Sequence, residues 1–145
     1  MQEVNFDAVL EVILTKDTRY TREAYHFIRE ALDFTQKQVS KENRAVRHVT
    51  PAELLDGIRQ FTLQQFGPMA TTVLEEWGVN NCADFGEIVF NMVESGLLAK
   101  TEKDSREGFR DGYTFTDAFC KPYWPESRLK AERLKAAKSS SATIN

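Results

Sequence analysis

His26, His48, Cys82 and Cys120 are the side chains best suited to metal ligation or nucleophilic catalysis, and the chain has no other histidine or cysteine. Glu23 and His26 stand three apart, which puts a carboxylate and an imidazole on one helix face, the spacing used in di-metal carboxylate bundles. Such a centre needs a second pair and two further glutamates. No glutamate stands three residues before His48, so His26 is expected to be an ordinary helical histidine, with no metal site. Cys82 falls near the start of a predicted helix, where aligned N–H groups favour thiolate. A cysteine nucleophile also needs a base, and no protease-like pattern links Cys82 to either histidine, so packing as a small hydrophobe is its expected role. Ser105 lacks the flanking glycines of a nucleophile elbow, and the glycines stand singly, without the pattern of a phosphate-cradling loop. The sequence therefore supplies no catalytic residue and implies no cofactor; it leans away from an enzyme.

Two charge clusters invite binding instead. Lys37, Lys41, Arg44, Arg47 and His48 are opposed mainly by Glu42 and form the candidate binding residues, suited to a phosphate-rich partner or an acidic protein surface. The competing expectation is a solvated linker. Further on, residues 126–138 carry five basic side chains (Arg128, Lys130, Arg133, Lys135, Lys138) against two acidic ones (Glu126, Glu132), a local +3. The whole chain is at −3, with 19 basic and 22 acidic residues, so the remainder holds 14 basic and 20 acidic, a local −6. A body of that sign is not built to hold a polyanion over its whole surface.

The elements that must position these residues read as helical. At 145 residues, with 41% hydrophobic and 28% charged side chains, one self-sufficient domain is expected. Phe6, Val9, Leu10 and Ile13 recur at helical spacing behind a capping Asn5. After a polar break at 15–20, Thr21 is the expected cap of a second helix whose wide apolar face, from Ala24 to Phe34, marks it as central and largely buried. Residues 40–49 read as a polar, basic connection. Thr50-Pro51-Ala52-Glu53 is the sharpest start signal, a capping box with proline at the first helical position. That third helix ends at Gly67-Pro68. A short fourth helix stops at Gly78, and Asn81 or Asp84 caps a fifth that closes at Gly96. Phe61, Phe66, Trp77, Phe85 and Phe90 have helical spacing and are expected in the core. Residues 100–112 read as a polar tip, with Tyr113-Thr114-Phe115 as a returning strand of a short β-hairpin. Pro122 and Pro125 flank Tyr123-Trp124, which is expected to pin the chain to the body.

Helix, glycine turn, helix and hairpin is the order of a winged helix, so the expected fold class is mainly α (α+β): a helical domain with a winged-helix-like helix-turn-helix and a short hairpin. Residues 1–125 form the single compact domain, 126–138 a basic helix-prone tail and 139–145 a disordered end. The helix that would enter a nucleic-acid groove presents Asp84, Glu87, Asn91, Glu94 and Ser95, three of them carboxylates. That face favours a small non-enzymatic interaction or adaptor domain with a protein partner, and disfavours nucleic acid. The alternative is a winged-helix-like nucleic-acid-binding regulator using the basic tail.

Asp17-Thr18-Arg19-Tyr20, Arg47-His48-Val49-Thr50, Gln65-Phe66-Gly67-Pro68, Glu76-Trp77-Gly78, Asp84-Phe85-Gly86-Glu87-Ile88-Val89-Phe90 and Gly96-Leu97-Leu98 together resemble an uncharacterised family of short bacterial proteins with no assigned activity. The resemblance implies a single domain over about residues 6–119 and carries over no catalytic residue. Acidic residues interrupt the first apolar positions and no apolar run approaches membrane-spanning length, so a cytoplasmic location and no membrane contact are expected.

Overall fold

Asn5 opens the first helix, α1 (Phe6–Lys16), by accepting a hydrogen bond from the Ala8 amide at 3.3 Å, which satisfies a donor that a helix start leaves unpaired. The computed structural model, which describes residues 5–43, 49–98, 106–110 and 112–142, continues with α2 (Arg22–Asn43), α3 (Pro51–Phe66), α4 (Ala70–Glu76), α5 (Cys82–Glu94) and α6 (Glu126–Ala142). Between α5 and α6 in sequence lie the 3-10 turn Arg106–Phe109, the π-helical turn Thr116–Cys120 and the 3-10 turn Lys121–Tyr123.

The wide apolar face of α2 does what its width requires. Ala24, Tyr25, Phe27, Ile28, Ala31, Thr35 and Val39 are buried, and α1, α3 and α5 all pack against this helix. Its apolar stripe reaches Val39 and the helix runs to Asn43, past residue 40 where the polar connection was expected. Thr21 does not cap α2 with its side chain. Its hydroxyl oxygen is buried without a hydrogen-bond partner, while its amide donates to the Trp77 carbonyl at 3.2 Å. The start of α3 is as its sequence dictates: Thr50 Oγ1 accepts from the Glu53 amide at 3.2 Å, and Glu53 Oε1 accepts from the Thr50 amide at 3.1 Å.

Burial of whole side chains at about 1.5–3 kcal/mol each drives the assembly. Tyr25 and Ile28 of α2, Ile58 of α3, Leu74 of α4 and Phe85, Ile88 and Met92 of α5 meet in one core with Phe109 and Phe119. Of the aromatics expected inside, Phe85 and Phe90 are buried, while Phe61, Phe66 and Trp77 are half-buried and packed against the core. Phe27 has its ring centroid 5.1 Å from Phe61 and 5.2 Å from both Phe66 and Trp77. Close helix approaches are set by glycine: a β-carbon on Gly86 would lie 2.7 Å from Cβ of Phe109, and so a larger residue there would push Phe109 off α5.

Among the described residues there is no β-hairpin, and the winged-helix reading falls with it. No strand occurs among the described residues. Much of the expected tip, 99–105 and 111, lies outside those residues. Beyond Tyr113 the chain turns helical for a local and a long-range reason. Thr114 Oγ1 accepts from the Asp117 amide at 3.1 Å and the Thr114 carbonyl accepts from the Ala118 amide at 3.0 Å, which starts a helical turn in place of a strand. The Tyr113 carbonyl accepts from Cys82 Sγ at 3.3 Å and its hydroxyl donates to the Leu55 carbonyl at 2.7 Å, so its polar groups are used on α5 and α3. Phe115 and Tyr113 then close on Phe119, with centroids at 5.1 and 5.9 Å. A helix, a turn at Gly78 (φ 86°) and a second helix do succeed one another as α4 and α5. No wing accompanies them among the described residues.

Candidate functional site

The densest polar cluster joins loop 17–21 to α5. Asp17 Oδ1 accepts from Nε of Arg19 at 2.9 Å and from its amide at 3.1 Å; Oδ2 accepts from Nη2 of Arg19 at 2.6 Å and from Nδ2 of Asn91 at 3.0 Å. Asn91 Nδ2 also donates to the Tyr25 hydroxyl at 2.9 Å, and Arg19 Nη2 reaches Glu87 at 3.3 Å. One turn away, the Tyr20 hydroxyl donates to Asp84 Oδ1 at 2.6 Å, while Asp84 Oδ2 accepts from the Asn80 amide at 2.8 Å. Asn81 is therefore the cap of α5, accepting from the Asp84 amide at 3.0 Å, and Asp84 is turned to the loop instead. The arginine beside Asp17, helped by Asn91, holds that carboxyl well below the usual carboxylate range despite partial burial. Burial first, then the Asp84 carboxylate, push the Tyr20 phenol upward.

This arrangement overturns the expected role of the polar face of α5. Asp84, Glu87 and Asn91 are not a free groove-facing surface but the far side of a clamp on loop 17–21. The backbone seals it: Gly78 turns left-handed with its α-carbon so close to Arg19 that a β-carbon would sit 2.1 Å from the Arg19 carbonyl oxygen. An open cleft of about 540 Å³ lies above the clamp, edged by Lys16, Thr18, Glu94 and Ser95. Both oxygens of Asp17 and both amide hydrogens of Asn91 are committed within the clamp, so the floor of the cleft has few polar groups left for a ligand.

A second depression has a different character. Leu32 of α2, Pro51 and Leu54 of α3, and Val89, Phe90 and Val93 of α5, together with Val49, Leu98 and Phe109, line an apolar groove of about 270 Å³ with Asp33 and Gln36 at its edge. That volume falls below the roughly 300–1,000 Å³ that encloses a drug-sized ligand, and suits a few inserted side chains.

Of the sequence-derived binding residues, Lys37 and Lys41 are exposed one turn apart on α2. At about 100° per residue Lys37 falls about 40° past Asp33 at the groove's edge, and Lys41 about 80° past it, on the side of α2 turned away from Leu32 and the groove. Arg44, Arg47 and His48 lie outside the described residues. Of the described members of the basic cluster only Lys37 stands near the groove, which the sequence did not reveal. The signal was present in Val89 and Val93, apolar positions that flank the buried stripe of α5 and are left half-buried.

The remaining chemical candidates are occupied structurally. Cys82 is buried at the start of α5, and burial raises its thiol above the ordinary value, outweighing its hydrogen bond to Tyr113. His26 Nε2 lies 3.4 Å from Asp7 and its ring 5.0 Å from that of Phe6, tying α1 to α2 alongside the Arg22–Glu11 ion pair. No cluster of three metal-ligating side chains occurs among the described residues, and no described helix is long and apolar enough to cross a membrane. Comparison with protein-family models, curated proteins and solved structures gives no match.

Proposed function

We propose that this chain is a small non-enzymatic interaction domain, in which the apolar groove of α2, α3 and α5 receives the apolar face of a partner helix that carries acidic residues. The groove supports this reading: one half-open trough lined by nine apolar side chains, with Lys37 exposed one turn from the edge residue Asp33. Helix-in-groove recognition needs those two parts, pockets for anchors at i, i+3, i+4 and i+7 and a charged flank that fixes orientation. The free thiols Cys82 and Cys120 support placing the domain in the cytoplasm.

Selection from a library of displayed helical peptides tests the reading. Wild-type protein should enrich peptides with that apolar spacing and with Asp or Glu beside it. Val93→Glu, at a half-buried wall position, should abolish capture, and Lys37→Glu should weaken it severalfold. Enrichment of no such pattern, or capture indifferent to Val93→Glu in a variant of unchanged helicity, rejects the groove.

A further inference from the structure

The helix α6 is 17 residues long, yet of its described side chains only Leu129 and Glu132 are half-buried; Leu134 is 56% exposed. It has no apolar face to lay on the body. A helix polar on all sides either bridges to something or gains its stability from its own residues, and Ala131, Ala136 and Ala137 supply strong helix propensity. Its root is fixed. The Arg128 guanidinium carbon stands 3.9 Å from the Trp124 ring centroid, with Lys121 Nζ at 5.9 Å, and Arg133 Nη2 bonds Glu126 at 3.0 Å.

The placement of charge around this helix decides what it fits. At about 100° per residue, Arg128 and Lys135 fall on one side, and Lys130 and Arg133 on the opposite side. An acidic protein surface meets a helix along one face and leaves the other pair idle. The major groove of duplex DNA, about 12 Å wide, surrounds an inserted helix with phosphates on both walls. A-form RNA offers only a deep, narrow major groove that does not admit one. At about 1.5 Å per residue, α6 extends roughly 25 Å, so Arg133 and Lys135 lie at or beyond the screening length of about 10 Å at 0.1 M salt from its root, while Arg128 and Lys130 lie within reach of the acidic body.

We propose that α6 binds duplex DNA by lying in the major groove, with Arg128 and Lys135 on one phosphate wall and Lys130 and Arg133 on the other. The contact is to phosphates and is independent of sequence, since all four of these cations are turned to the two phosphate walls and none of them is left to read a base edge. The surface is separate from the apolar groove and its test is independent of that reading.

Fluorescence anisotropy of the full chain with a labelled 20-base-pair mixed-sequence duplex tests it, with an RNA duplex of the same length and poly-glutamate as comparison probes. Up to four phosphate contacts predict a logarithmic salt slope of about −3 to −3.6, a loss of roughly 60- to 150-fold in affinity between 50 and 200 mM salt. Lys130→Gln with Lys135→Gln, one change on each side, should lower the slope by about two, with helicity unchanged by circular dichroism. Absence of DNA binding at 50 mM salt, binding unaffected by the double variant, or RNA or poly-glutamate binding as tightly as DNA each overturns the proposal.

Discussion

Replacing Asp17 by asparagine is the most informative single perturbation of the fold, because it removes one charge from the centre of the clamp and leaves its shape. The wild-type carboxylate accepts four hydrogen bonds, from Nε, Nη2 and the amide of Arg19 and from Nδ2 of Asn91. Its side chain is only 16% exposed, whereas that of Arg19 is 55% exposed. Hydrogen bonds to a charged group contribute about 1.5–3 kcal/mol. Solvent around Arg19 weakens its share, and an asparagine oxygen retains part of the pattern, so the expected loss is about 2 kcal/mol. For a chain of this length that lowers Tm by roughly 6–8 °C. The pH dependence carries the diagnosis. The folded-state carboxyl is held below its unfolded value, so the stability it supplies is complete above about pH 5 and is lost as pH falls through the unfolded and then the folded pKa. Urea unfolding followed at 222 nm from pH 7 down to pH 2 should show wild type and Asp17→Asn about 2 kcal/mol apart at neutrality and converging in acid. A difference below about 0.5 kcal/mol, or one that stays constant down to pH 2, refutes the clamp as a charge-assisted device.

Two further substitutions separate close approach from backbone strain. Gly78→Ala and Gly96→Ala both force alanine to a left-handed φ, at 86° and 80°, but only at Gly78 does the new β-carbon strike another backbone, that of Arg19 at 2.1 Å. Gly96→Ala should cost about 1–2 kcal/mol, and Gly78→Ala should exceed it severalfold in the same urea titration; equal losses would remove the packing argument. Native-state alkylation with iodoacetamide, read by mass spectrometry, should modify the half-buried Cys120 and spare Cys82, whose buried thiol is raised and bonded to the Tyr113 carbonyl. Comparable rates at the two sites would show that the 112–120 segment does not cover Cys82.

Except at both ends of α2, helix starts and stops were legible because their causes are local. Asn5, Thr50-Pro51-Ala52-Glu53, Asn81 and the left-handed glycines 67, 78 and 96 act within one turn of themselves, and the structure uses each as its type requires. Tyr113-Thr114-Phe115 misled for the converse reason. Its composition is strand-like, but the fate of Tyr113 is set by Leu55 and Cys82, 58 and 31 residues away. The clamp was hidden in the same manner: Asn91 meets Asp17 across 74 residues and Asp84 meets Tyr20 across 64. Helical spacing showed which side of α5 is apolar and gave no indication that its polar side was also covered. Arg19 and Tyr20, a long cation and a phenol in an otherwise short polar break, were the only trace of a partner for those carboxylates.

The three sides of α5 connect clamp and groove. Phe85, Ile88 and Met92 face the core; Asp84, Glu87 and Asn91 grip loop 17–21; Val89, Phe90 and Val93 form a groove wall roughly opposite the clamp. A helix held only by its core stripe is free to roll about its axis, since apolar contact is non-directional. The charged and hydrogen-bonded contacts on the far side have fixed geometry and oppose that roll. The depth of the groove depends on where Val89 and Val93 stand relative to Leu32 and Leu54, so the clamp positions the groove without touching anything bound in it. Asp17→Asn should therefore weaken groove-selected peptides while leaving α6 and its salt-dependent contact unchanged.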